Sequence, residues 1–225
     1  MRPSTFPDAL DTLQAVVKRH RSSMNKPLTS KQAERLREQI ANVKRVLAAE
    51  KRRFGDYDDS QGYRYLPPKL YVQLGDYAGG LRYVRWFDKN FDDDIGYPDF
   101  LFEWTILLFK NGRLRDAERK AVQTYCLNTY LYDQFFGRPL VPLAKWEGSN
   151  LEMPYLAEQL PYSSQQPTLA DFATWLGQFE HSEEYVAFTT RFVQLRQQLK
   201  VADGSETRRA LVDELRELRE LKTGF

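Results

Sequence analysis

The constraint that dominates this sequence is periodicity: apolar residues recur at helical spacing, and no stretch alternates polar and apolar residues at period two. Leu36, Ile40, Val43, Leu47 and Phe54 stand four, three, four and seven residues apart, which puts them on one stripe of a helix. The stripe opens at Thr29-x-x-Gln32, whose hydroxyl and amide suit the free amides of a first turn, and it closes at "FGDYDDSQG". An earlier helix is predicted from Pro7 to Met24. Pro67 and Pro68 begin a short helix that Gly75 stops, and Asp76 caps another that carries Tyr77, Leu81, Val84 and Phe87. Pro98 opens "PDFLFEWTILLFKNG", which is apolar on most of its circumference and therefore expected at the centre of the core. A long helix is predicted from Gly112 to about Phe136, with Gly137 and Pro139 ending it. Thr168 with Asp171 reads as a cap for "LADFATWLGQFE", followed by helices from about Ser182 to Lys200 and after Ser205. The expected class is all-α.

Hydrophobic residues are spread along the whole chain, so a single all-α domain over 1–225 is expected. Within it the sequence separates basic N-terminal helices (1–54), helix pairs (61–137), a Pro-rich packed linker (138–167) and C-terminal helices (168–225). The linker holds Pro139, Pro142, Pro154, Pro161 and Pro167, which leave room only for a short helical turn near 154–160. Its Leu143, Trp146, Leu151 and Met153 argue that it packs rather than floats.

A formal net charge of +2 gives no global pull toward nucleic acid or an anionic membrane. The distribution is uneven, because residues 1–54 carry thirteen Lys and Arg against five acids. Cys126 stands alone, so no intrachain disulfide is available and a reducing compartment is the simpler expectation. The first twenty residues lack an apolar run of signal-peptide length, and "FLFEWTILLF" is too short to span a bilayer. The chain is accordingly expected to begin near Met1, to be cytoplasmic and to have no membrane partner.

Two Gly-bounded segments align with each other: "YVQLGDYAGGLRYVRWF" and "LLFKNGRLRDAERKAVQ", with Gly75 opposite Gly112. At these residues the chain resembles the tetratricopeptide repeat, in which a Gly-Asp-Tyr turn joins two helices and a small residue three positions later lets them approach. Leu101, Trp104, Leu108, Gly112, Leu114, Ala117 and Ala121 follow the same order in the second unit. The resemblance covers roughly 61–125. It departs at Pro68 and Phe87, which stand where small residues are usual, and in three extra residues between units. Two units fall short of the three or so that bury a solenoid's faces, so flanking helices must supply the neighbours.

No motif of catalysis or metal binding stands out. Asp92, Asp93 and Asp94 lack a second ligand group and read as a helix-linking turn. "DYDDSQG" places Gly one position late for a calcium loop, with Pro67 where the bidentate Glu belongs. His20 and His181 are the only histidines, Cys126 lies on a long helix where an inert thiol is usual, and no Gly-rich phosphate loop is present. No cofactor is expected. Tyr83, Phe87 and Phe91, four residues apart, read as core, which turns Arg82 and Arg85 outward and leaves Trp86 shared.

The resemblance implies that the first helix of each pair lines a groove, placing Lys69, Val72, Gln73, Phe102, Glu103, Ile106, Phe109 and Lys110 on it. The expected function is a non-catalytic adaptor for a protein or peptide, with apolar anchors and charged selectors. A variant has the linker's own apolar residues filling the groove. The alternatives are a nucleic-acid-associated protein using Lys31, Arg35, Lys44, Arg45, Arg52 and Arg53, or a helical enzyme whose site follows no known motif.

Overall fold

Thr29 begins the first helix as its spacing predicts: Gln32 donates its amide to Thr29 Oγ1 at 3.3 Å, and Thr29 N–H reaches Gln32 Oε1 at 2.9 Å. This helix, α1 (Ser30–Phe54), buries Ile40, Val43 and Leu47 and ends at Gly55, whose φ of 78° is left-handed. Phe54, expected on the same stripe, is instead 56% exposed at the last position of the helix. The computed structural model describes residues 28–57 and 59–223, so the helix expected over Pro7 to Met24, and His20 with it, lie outside the described residues. Among the described residues there is no strand, and the architecture is all-α.

After a 3-10 turn at Tyr63–Tyr65 come α2 (Leu66–Leu74), α3 (Tyr77–Asn90), α4 (Pro98–Lys110) and α5 (Leu114–Leu127). The two tight turns of this run are bonded alike. In the first, Asp76 N–H reaches Tyr71 O and Gly75 N–H reaches Val72 O, both at 3.1 Å. In the second, Arg113 N–H reaches Leu108 O at 3.0 Å and Gly112 N–H reaches Phe109 O at 2.9 Å. Each is the paired-bond helix ending that needs a left-handed residue, and Gly75 and Gly112 supply φ of 69° and 71°. Asp76 then caps α3 by accepting from Gly79 N–H at 2.9 Å.

Gly80 lets three helices meet. A Cβ there would lie 2.4 Å from Leu107 Cδ2 on α4 and 3.0 Å from Tyr71 Cβ on α2, inside van der Waals contact with both. Helix α4 is the spine, buried continuously from Phe100 to Leu108 and packed on α2, α3 and α5. Its all-round apolar sequence is the reason.

The long helix predicted to Phe136 is two. Helix α5 stops at Leu127 and α6 (Leu131–Phe136) follows after a break at Asn128 to Tyr130. Asn128 leaves the helical conformation because its side chain is engaged elsewhere. The amide donates to Leu151 O at 2.8 Å and to Met153 O at 3.1 Å, while Oδ1 accepts from Tyr130 N–H at 3.0 Å. Asparagine competes with the helix in this way wherever such acceptors are close.

Those acceptors belong to the Pro-rich segment, which packs. Trp146 N–H donates to Arg196 O and Arg196 Nε to Trp146 O, each at 2.8 Å. Ser164 N–H reaches Phe135 O at 2.9 Å. The segment contains the short α7 (Pro154–Glu158). Beyond it lie α8 (Ala170–Glu180), α9 (Glu183–Val201) and α10 (Ser205–Thr223). Thr168 does not cap α8 as predicted, because a 3-10 turn at Pro167–Leu169 precedes it and the Thr168 side chain makes no capping bond. Ser182 does cap α9, accepting from Tyr185 N–H at 3.3 Å.

Candidate partner-binding face

Helices α2 and α4 lie side by side, so their matching faces form one surface. Val72 on α2 is buried, and Lys69 and Gln73 beside it are half-buried. On α4, Phe102 and Ile106 are fully buried and Glu103 nearly so, while Phe109 and Lys110 are half-buried. Of the eight residues of the predicted groove, Val72, Phe102, Glu103 and Ile106 are buried, and Lys69, Gln73, Phe109 and Lys110 keep part of their surface in solvent.

The cover is the chain itself. Tyr162 stacks on Phe102 with ring centroids 5.8 Å apart, and Phe172 of α8 meets the same ring edge-on at 5.6 Å. Phe109 stacks on Trp175 at 5.0 Å. Lys110 pairs with Asp171 and donates to Thr168 O at 2.8 Å, which tethers the start of α8 to the end of α4. The linker expected to fill the groove, 138–167, contributes Tyr162, while Phe172 and Trp175 of α8 supply the rest of the contact. The local signal of the α8 pair is the aromatic spacing of "DFATWLGQF", which does not name the partner helix.

Glu103 is the chemical centre of this interface. The Tyr162 hydroxyl donates to Glu103 Oε1 at 2.9 Å, with both side chains out of solvent. Burial pushes the Glu103 carboxyl well above the ordinary range and the Asp99 charge adds to this, against the opposing effects of the Tyr162 hydrogen bond and Lys69. The shift favours the neutral acid. Burial likewise raises the Tyr162 phenol far beyond its usual value. A protonated carboxyl beside a neutral phenol is a structural bond that carries no net charge into the core.

The other candidate groups are absorbed by the fold. Asp94 accepts from Arg64 Nε at 2.8 Å, Tyr65 Oη at 2.6 Å and Gly96 N–H at 2.8 Å, which explains its place in the acidic turn. Asp59 accepts from the amides of Tyr63 and Arg64, both at 2.8 Å, and so caps the 3-10 turn. Burial drives the Cys126 thiol up to about 12, against the opposing effect of Arg219. His181 Nδ1 is spent on Gly177 O at 2.6 Å. Among the described residues no three His, Cys, Asp or Glu side chains gather as a metal site, and no helix is long and apolar enough to cross a membrane.

These features define an all-α, multi-helix protein. No family model, curated protein or solved structure matches the chain.

Proposed function

We propose that this chain is a tetratricopeptide-like, non-catalytic module of the cytoplasm that binds a protein or peptide partner across the α2 side of its inner face. The observation that supports this most is the bond-for-bond equivalence of the turns at Gly75 and Gly112, which sets two helix pairs in succession and aligns α2 with α4. Because the α4 half of the face is filled by Tyr162 and α8, the partner meets Lys69 and Gln73 at its edge. Lys69 selects for an acidic or carbonyl-rich segment, and Gln73 offers both a donor and an acceptor.

A photo-crosslinking residue placed at Gln73 in the native cell tests this. A discrete protein adduct from position 73, absent when the same residue replaces the exposed Arg85 of α3, is the expected result. Equal adducts from both positions, or none from position 73, would sink the proposal. Ile106→Asp is unsuited to this purpose, since it would bury a charge under Tyr162 and destabilise the fold itself.

A further inference from the structure

Helices α1 and α3 both pack on α2, with a ring-lined seam, the trough, between them. Its walls are basic. On α1, Arg37, Lys44 and Lys51 recur every seven residues, about 20° apart around the axis, and so form one ridge. On α3, Arg82, Arg85 and Lys89 fall within about 60° of one another. All six are exposed. Arg82, Arg85 and Lys89 have no acidic partner among the described residues. Arg37 and Lys51 have only the solvent-exposed Glu34 and Asp56, at 3.3 and 3.5 Å, and such pairs contribute little. Asp88 lies about 60° from Arg85 around α3, on the side away from Arg82, and its charge acts on Lys120 of α5.

The floor is aromatic and continuous. Lys44 Nζ donates to Tyr71 Oη at 2.8 Å, and the Tyr71 ring is 6.4 Å from Tyr83, itself 5.2 Å from Trp86. At the far end Lys51 Nζ sits 5.0 Å from the Tyr57 ring centroid, and Tyr57 meets Trp86 edge-on at 5.4 Å. Tyr71 and Tyr83 are buried, while Tyr57 and Trp86 are half-buried and so partly open to solvent.

We infer that the trough between α1 and α3 binds single-stranded nucleic acid, with its two basic ridges on the phosphates and the open parts of Tyr57 and Trp86 against bases. Paired rows of cations beside ring faces are what an unpaired strand needs, since phosphate contacts supply affinity and rings accept any base. An acidic peptide would use the cations and leave the rings idle. A membrane surface would need large apolar side chains between the cations, and the ridges offer none. A duplex keeps its bases stacked inside, out of reach of Tyr57 and Trp86. This surface is separate from Lys69 and Gln73, so its test is independent of the proposed adaptor role.

The experiment is fluorescence anisotropy of the full chain with a labelled, mixed-sequence RNA of about 20 nucleotides, at salt between about 50 and 200 mM. Expected are saturable binding that weakens at least about tenfold over that range and quenching of tryptophan fluorescence. The Arg82→Glu/Lys89→Glu variant, exposed and unpartnered at both positions, should keep the wild-type melting curve. It should lose at least about tenfold in affinity and lower the slope of log K against log salt by about 1.4. Lys31→Glu/Arg35→Glu makes the same charge change on the other side of α1 and should bind within about twofold of wild type. No binding at the lower salt would overturn the inference. So would equal loss in the two variants, tighter binding of a duplex, or displacement by polyglutamate or phosphatidylserine vesicles at matched charge.

Discussion

Replacing Glu103 by Gln should make the protein more stable at neutral pH, by an amount that grows with pH. The carboxyl is buried, accepts one hydrogen bond from Tyr162 at 2.9 Å and is held well above its ordinary value near 4.5. Over the interval between the unfolded and folded values, the unfolded chain has released this proton and the folded chain has kept it. The folded state thus binds more protons, and stability falls as pH rises, by about 1.36 kcal/mol per pH unit. Below the ordinary value both states are protonated and no penalty exists. The substituted amide does not titrate, and its oxygen retains the acceptor that Tyr162 requires. Over that interval the variant should therefore gain steadily on the wild type as pH rises. Urea unfolding of both proteins at matched pH, followed by tryptophan fluorescence, measures the difference directly. The pH at which the two stability curves become parallel marks the folded value of Glu103. A constant difference across the range, or a wild type that gains on the variant as pH rises, would show that Glu103 is ionised in the folded protein.

Two glycines should respond in opposite directions. Gly80→Ala places a methyl 2.4 Å from Leu107 Cδ2 and should destabilise by roughly 1–3 kcal/mol despite the better helix propensity. Gly177→Ala meets nothing nearer than Phe136 Cζ at 3.7 Å and should stabilise by about 0.5–1 kcal/mol; thermal melts of both check this. Cys126 is half-buried, but with its thiol pushed up to about 12 by burial it should react with a thiol reagent at pH about 8 far more slowly than the unfolded chain does, as a time course with and without denaturant would show. Asp94 is held below its usual range by Tyr65, Gly96 and Arg64 against the opposing effect of burial. Its contribution is present above the ordinary carboxylate value and is lost as pH falls. Asp94→Asn should remove that acid-side dependence in a pH series of urea midpoints.

Local chemistry was legible and long-range chemistry was not. The start of α1 at Thr29, the turns at Gly75 and Gly112 and the central place of α4 follow from residues within a few positions of each other, so the sequence shows them directly. The break at Asn128 depends on the carbonyls of Leu151 and Met153, more than twenty residues away, and no local pattern distinguishes it from a helical asparagine. The groove residues fail for the same reason. Phe102 and Ile106 are apolar whether they meet a partner or their own chain, and only tertiary packing brings Tyr162 and α8 over them. The outward direction of Arg82 and Arg85 was readable from the periodicity of Tyr83, Phe87 and Phe91. The ring contacts that link their helix to Lys44 and Lys51 were not.

The bond between Glu103 and Tyr162 also has a consequence for synthesis. Its partners are 59 residues apart in the chain, and at typical elongation rates the ribosome takes roughly 3–12 s to cover that distance. Throughout that interval α4 has emerged with Phe102, Ile106 and Phe109 on a face that nothing yet covers. The mature fold buries residues 100–108 of its most apolar helix, and the nascent chain must display them. Chaperone dependence during translation, and aggregation of chains truncated before Tyr162, are the costs of a spine that is closed from downstream.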